Sequence, residues 1–426
     1  MNVLASVYAC SPYDGSERAV GWNWVCELDK YHHLWVLTSE VYEKDIEDYK
    51  EKNPHALLNT EFIYIRVPQI ISFWHKGYRG ERIYYILWQK AALKVAEKLK
   101  TKVNFDLVHH ITYVTCVLPT YMHKLGLPFL YGPVSGGENI PSIINYPLNQ
   151  KNSIIETIRK IVQVFFRATP NFKKTMEKAN LILATTGETK NYIPKKYQHK
   201  VHIFQSIVLD ENFLNPNPNL EKENGAICKI LIAGRMIYWK GFELAIKSAI
   251  LALEKGCQAE ITILGDTEDG SIHYKEYLKG LCMNHTQQIK FISKVEYYKM
   301  KDFYDEFDLL LNCSLRDSGC YVVMEGMGRG LPVICVDTGG PKINTSESTA
   351  IKIQPARLET MIEDIANAIC LLVENHEQRK QMGKAAHQYA SNHFVSNKRT
   401  LEMNQYYQTV VGKRDSDFFT KEVENG

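Results

Sequence analysis

Short apolar runs alternate with helical patterns from one end of this 426-residue chain to the other. That alternation restricts the fold more than any other feature, because buried parallel strands need helices to cover both faces of their sheet. A first series of runs comprises Val3–Tyr8, His33–Thr38, Glu61–Val67, Leu107–His110, Phe129–Tyr131, Leu181–Thr185 and Val201–Phe204. Pro216 and Pro218, within the polar stretch Asp210–Gly225, read as a linker or long loop. A second series follows: Lys229–Ala233, Glu260–Leu264, Ile289–Ile292, Leu309–Asn312, Pro332–Val336 and Ala350–Ile353. Helices such as Gly241–Lys255 and Leu358–Asn375 separate these runs. A chain of this length exceeds one ordinary core, so two doubly wound α/β domains are expected. Ligands of such folds bind beyond the carboxyl ends of the strands, which puts the expected site in the cleft between the halves.

Composition excludes several function classes. The net charge of +3 carries no polyelectrolyte signal for nucleic acid. The ten cysteines show no C-x-x-C or Cys/His metal spacing and sit mostly in apolar contexts, as buried thiols of a reducing cytosol do. The opening MNVLASVYACSPYDG lacks a basic leader region and reads as a first buried strand. No stretch supplies about 18 uninterrupted apolar residues, so a cytoplasmic or membrane-surface protein is expected.

Two blocks in the second half carry chemistry. In Ala233-Gly234-Arg235-Met236-Ile237-Tyr238-Trp239-Lys240-Gly241-Phe242, Arg235 and Lys240 leave a strand end within reach of one anion. A guanidinium binds phosphate oxygens in pairs and an ammonium acts as a point charge. The alternative is two surface cations in a basic loop. In Ser314–Pro341, Asp317 precedes the turn residues Ser318 and Gly319, and a helix starts near Tyr321 with Glu325 one turn inside. Both carboxylates can face one cleft, where they would accept vicinal hydroxyls. Gly326, Gly328 and Gly330 are costly in a helix interior, which points to close packing or close approach of a ligand.

The order G-R-x(4)-K-G, then a strand, then S-L-R-D-S-G-x(5)-E-G-M-x-x-G-L-P-V-I-x-x-D-x-G-G-P resembles glycosyltransferase family 4, retaining enzymes of the GT-B fold. Asp317 stands where that family's E-x(7)-E motif has its first Glu. In the first half, Ser11–Trp22 is similar to the family's first glycine-containing loop, with Gly15 and Ser16 at the donor. Phe105–His110 looks like its D-x-V-H segment, and Gly132–Glu138 like its G-P-x-G-G-G-E loop.

The resemblance implies an N-terminal acceptor domain over 1–205 and a C-terminal nucleotide-sugar domain over 206–396, with a helix from about 397 crossing back. It implies that Arg235 and Lys240 hold the donor diphosphate, Glu325 the ribose and Asp317 the donor sugar. Ser318, Gly319 and Cys320 line the donor turn, and Ser293 and Val295 flank the nucleobase. His109 is the expected catalytic histidine near the anomeric carbon, with His110, Gly137 and Glu138 near the sugar or acceptor. Asp415-Ser416-Asp417, in the polar tail, reads as chance rather than a metal motif. No obligatory metal or other cofactor is expected, a UDP- or GDP-sugar is the expected donor, and a saccharide or lipid-linked saccharide the acceptor. A GT-B sugar-nucleotide epimerase and a non-catalytic nucleotide-sugar binding protein are the rival readings.

Two segments, Ile70–Lys100 and Lys151–Lys178, combine cations with aromatics. In the second, Ile154, Ile155, Ile158, Ile161, Val162, Phe165 and Phe166 form a helical apolar stripe beside Lys151, Arg159, Lys160 and Arg167. The stripe is expected to face a core with its cations solvated. The alternative is a seat in an anionic lipid surface, on the cytosolic face of the inner membrane.

Overall fold

The computed structural model describes residues 1–68, 70, 80–147, 149–215, 227–266, 272–296 and 299–412. Pro216, Pro218, Asp415-Ser416-Asp417 and residues 71–79 of the first basic segment lie outside them.

Every run expected to be a strand is one, with ends that differ by up to three residues. The first sheet holds β1 (Asn2–Val7), β2 (His33–Ser39), β3 (Thr60–Ile65), β4 (Leu107–Thr112), β5 (Phe129–Val134), β6 (Leu181–Ala184) and β7 (Val201–Ile203). Its order is β3-β2-β1-β4-β5-β6-β7. The second sheet holds β8 (Cys228–Ala233), β9 (Ala259–Leu264), β10 (Ile289–Ile292), β11 (Leu309–Asn312), β12 (Val333–Val336) and β13 (Ala350–Ile353). Its order is β10-β9-β8-β11-β12-β13. The neighbouring strands pair in parallel, with Ala5 of β1 opposite both Val36 and His109. Strand order therefore reverses between β1 and β4, and again between β8 and β11. Loops leaving these strands in opposite directions open a crevice at each reversal.

Central strands such as β4, β5 and β12 are buried at every residue, which is why they read as unbroken apolar runs rather than alternating ones. Each sheet packs on its own core. The C-terminal helix Ser396–Val410 returns to the first domain and adds Met403, Tyr407 and Val410 to that core. The chain crosses between domains near 204–209 and again near 394–396. The two crossings bond to each other, Leu209 N–H to Phe394 O at 2.8 Å and Ser396 N–H to Leu209 O at 3.1 Å.

The Lys151–Lys178 segment departs from expectation. It forms the helix Gln150–Ala168, whose apolar stripe faces outward. Ile154, Ile158, Ile161, Val164 and Phe165 are each more than half exposed, while Glu156 and Gln163 are buried. The expected core-facing stripe is thus corrected: apart from Phe166, which packs on the first-domain core, it is polar groups that attach this helix to the protein. Among the described residues no helix is long and apolar enough to cross a membrane.

Candidate active site

Arg235, just past β8, favours the charge of Glu17, the first residue of the helix Glu17–Asp29 that follows β1. On the second-domain side, Gly241 decides the local geometry. It takes φ +68° ahead of the helix Phe242–Glu254, and an added Cβ would stand 1.9 Å from Cys313 O. Only glycine lets the Tyr238–Lys240 turn lie directly on the end of β11. There Trp239 O accepts the Leu315 N–H at 2.9 Å.

That contact brings the Lys240 ammonium onto the Asp317 carboxylate, with the two side chains only 20% and 13% exposed. Burial alone would discharge both groups, but each stabilises the other's ion. Burial raises the Asp317 carboxyl, yet Lys240 beside it outweighs this and holds it below the usual carboxylate range. Burial likewise opposes the Lys240 charge, and Asp317 keeps that ammonium above its ordinary value.

Asp317 is also held by its backbone. Its carbonyl accepts the Gly340 N–H at 2.7 Å. Gly339, at φ +50°, comes so near that a Cβ there would stand 2.1 Å from the same oxygen. Ser318 is half-buried in the following turn. The Gly319 N–H, in the turn expected to line the donor, points inward to Asp317 Oδ1 at 3.4 Å. Cys320 takes φ +60° at the start of the helix Tyr321–Gly328, and burial pushes its thiol well above the ordinary range. Its side chain is therefore an inert thiol. Glu325 is 7% exposed and accepts the Tyr304 hydroxyl at 2.8 Å; burial pushes its carboxyl up to about 7. The glycines of this helix answer to packing: a Cβ on Gly326 would meet Leu310 at 2.8 Å, and one on Gly328 would meet Leu209 at 3.0 Å.

In the first domain Gly15 and Ser16 are exposed, and a Cβ on Gly15 would meet open space. The next residue, Glu17, escaped the sequence reading. Its carboxylate accepts the Val114 N–H, joining the loops after β1 and β4. Burial, with Glu81 adding to it, pushes Glu17 up to about 7.

The histidines correct the sequence reading. His109 is fully buried, with Nε2 2.6 Å from Gly132 O and Nδ1 2.7 Å from the Tyr407 hydroxyl. A carbonyl only accepts, so Nε2 carries the proton and Tyr407 donates to Nδ1. Burial lowers the ring to about 3. His109 is therefore a neutral core group under the returning C-terminal helix, not a catalytic residue. His110 points to the opposite face, is also fully buried, packs with its ring tilted against Tyr131 and reaches Tyr113 O at 3.3 Å. Glu138 is satisfied by the Gly136 N–H of its own loop and by the Thr186 and Thr189 hydroxyls from the segment after β6. Gly137 is a packing position, where a Cβ would stand 2.4 Å from Glu188 O.

Ser293 and Val295 follow β10, the edge strand two places from the switch point. Lys275 donates to Ser293 Oγ at 2.9 Å and to Asp266 at 3.0 Å, defining a polar rim there. Three cross-domain links were also invisible in the sequence. Arg316 Nη1 reaches both oxygens of Glu156, the Tyr238 hydroxyl donates to the same carboxylate, and the Gly339 N–H donates to Glu188 at 3.0 Å. Among the described residues no cluster of three or more His, Cys, Asp or Glu could hold a metal ion.

Residues 217–389 match the family described as Glycosyl transferases group 1. That match lies in the second half of the chain, and the two parallel-sheet α/β domains match GT-B glycosyltransferase structures in fold. Its fold is similar to sucrose-phosphate synthase from Thermosynechococcus elongatus, with 13% identity, TM-score 0.66, and 97% of this chain and 100% of that one covered. It is also similar to Anabaena HepE in complex with UDP, with 15% identity, TM-score 0.62, and 96% and 99% covered. In sequence it is 26% identical to Protein CapJ of Staphylococcus aureus over 156 residues, a match spanning 36% of this chain and 38% of that relative.

Proposed function

We propose that the protein transfers a sugar, with retention, from a nucleoside diphosphate sugar to a saccharide or lipid-linked saccharide in cell-surface polysaccharide or glycoconjugate synthesis. The observation that carries this reading is the buried Lys240–Asp317 pair at the β8/β11 switch point, with Arg235 on the same loop. An arriving diphosphate competes for Lys240 and Arg235, which frees Asp317 to accept hydroxyls of the transferred sugar. Glu325, once ionised, accepts the ribose hydroxyls. As the bond from the anomeric carbon to the phosphate oxygen breaks, both cations meet charge developing on the leaving group. The acceptor oxygen bonds to the anomeric carbon from the same face, and its proton passes to the departing phosphate oxygen. On this reading neither a metal nor His109 takes part. The UDP held by the HepE structure supports a UDP-sugar as the first donor to try. A lipid-linked acceptor suits a peripheral site on the cytosolic face of the inner membrane.

The test is release of nucleoside diphosphate from UDP- and GDP-sugars, with and without acceptors. Lys240→Ala is expected to lower release about 100-fold or more. Equal release by Lys240→Ala would sink the reading. Interconversion of donor sugars without acceptor would make the protein an epimerase, and tight nucleotide binding without turnover a binding protein.

A further inference from the structure

The helix Gln150–Ala168 is mounted upside down for a helix of a water-soluble fold. Its buried side is mostly polar: Glu156 meets Arg316 and Tyr238, Arg159 donates to Glu138 O at 2.9 Å, and Gln163 donates to Gly136 O at 2.7 Å, with Phe166 as the apolar contact to the first-domain core. Its outer side is apolar. Ile154, Ile158, Ile161 and Phe165 recur at i, i+4, i+7 and i+11, so they fall in one narrow sector of the helix, and they are 59%, 54%, 62% and 63% exposed. Val164, at 70%, widens the stripe. A contiguous apolar face of this kind on a monomer marks an interaction site.

Charge identifies the partner. Lys151, Lys160 and Arg167 on this helix, and Lys173, Lys174 and Lys178 on the following helix Pro170–Lys178, are all exposed. Across 151–178 the acidic residues are Glu156, which is buried against Arg316, and the exposed Glu177. An apolar sector bordered by cations fits the boundary between acyl chains and anionic headgroups, where side chains enter a short distance and ammonium groups stay at the phosphates.

We infer that the outer face of Gln150–Ala168 is a docking surface for an anionic lipid bilayer. The same helix holds the donor segment through Glu156 and Arg316, so the bilayer lies against an element that also borders the cleft. This deepens the reading of a peripheral glycosyltransferase with a lipid-linked acceptor. It fails separately from that reading, because donor turnover in solution needs no vesicles.

The test is co-sedimentation of the full chain with phosphatidylcholine vesicles, with and without phosphatidylglycerol, for wild type and an Ile158→Glu/Phe165→Glu double variant. Both positions are exposed, so an unchanged melting temperature and unchanged donor hydrolysis in solution verify the variant's fold. Wild type is expected to pellet with phosphatidylglycerol vesicles and to be released by high salt, and the variant to partition about tenfold or more weakly. Wild type left in the supernatant with both vesicle types overturns the inference, as does a folded variant that binds equally. A wild-type dimer in sedimentation velocity that the double variant abolishes, with no vesicle binding, overturns it in favour of an interface between copies.

Discussion

One guanidinium nitrogen of Arg316 lies 2.6 and 2.7 Å from the two carboxylate oxygens of Glu156, 160 residues away in the other domain. The guanidinium also stacks over Trp239, 4.8 Å from its ring. Arg316 directly precedes Asp317, so this ion pair joins the first domain to the backbone that positions the Asp317 carboxylate. The side chains are 12% and 10% exposed, which leaves little water to replace a lost partner.

Glu156→Ala is therefore expected to destabilise the protein by roughly 2–4 kcal/mol, since it strands a mostly buried cation. A cycle with Arg316→Ala should show coupling of about 1 kcal/mol or more in thermal or urea unfolding. Additive losses would mean that the pair does not hold the domains.

Gly339→Ala puts a Cβ against Asp317 O at a φ that disfavours side chains. It is expected to lose about 2 kcal/mol or more and to weaken UDP binding several-fold, read by thermal melting with and without nucleotide. Gly15→Ala, with open space around its Cβ, serves as the comparison and should leave stability unchanged.

Glu325 releases its proton near pH 4.5 in an unfolded chain but near 7 when folded. Between these values the folded state binds more protons, so stability falls as pH rises. The contribution is fully present below about pH 4.5 and is lost as pH passes 7. Glu325→Gln should flatten the stability profile over that window, by on the order of 3 kcal/mol between its ends. Glu17, raised in the same way, should behave alike. An unchanged slope in urea melts of Glu325→Gln would show that the group titrates normally.

Tyr407→Phe removes the donor to His109 Nδ1 and should cost about 1–2 kcal/mol. Because the pair is internal, nucleotide affinity and donor hydrolysis should stay near wild type. A large loss of turnover with little loss of stability would return His109 to the reaction.

Each of these residues was legible to a different degree. The strands could be read almost to their ends, because burial on both faces leaves parallel strands as apolar runs. Arg235, Lys240, Asp317 and Glu325 were legible because each follows a strand end at a short spacing with a glycine nearby. Glu17 carries a weaker signal of the same kind, an acid directly after the Gly15-Ser16 turn. Glu156 and Arg316 carried none, since nothing local records a partner in another domain.

His109 and the Gln150–Ala168 stripe mark the other limit. A histidine at a strand end looks the same whether the next layer is a cleft or a returning helix, and only the closure of Ser396–Val410 over β4 places it in the core. An amphipathic helix reads the same with either face inward. Periodicity reports that two faces differ, but the neighbouring elements decide which one is covered. The sequence by itself thus determined the strands, their turns and the charged groups at their ends, all set by local geometry and burial. Tertiary structure alone decided that both histidines are buried, which carboxylates are buried with them and which helix face meets solvent, because those depend on contacts between segments far apart in the chain.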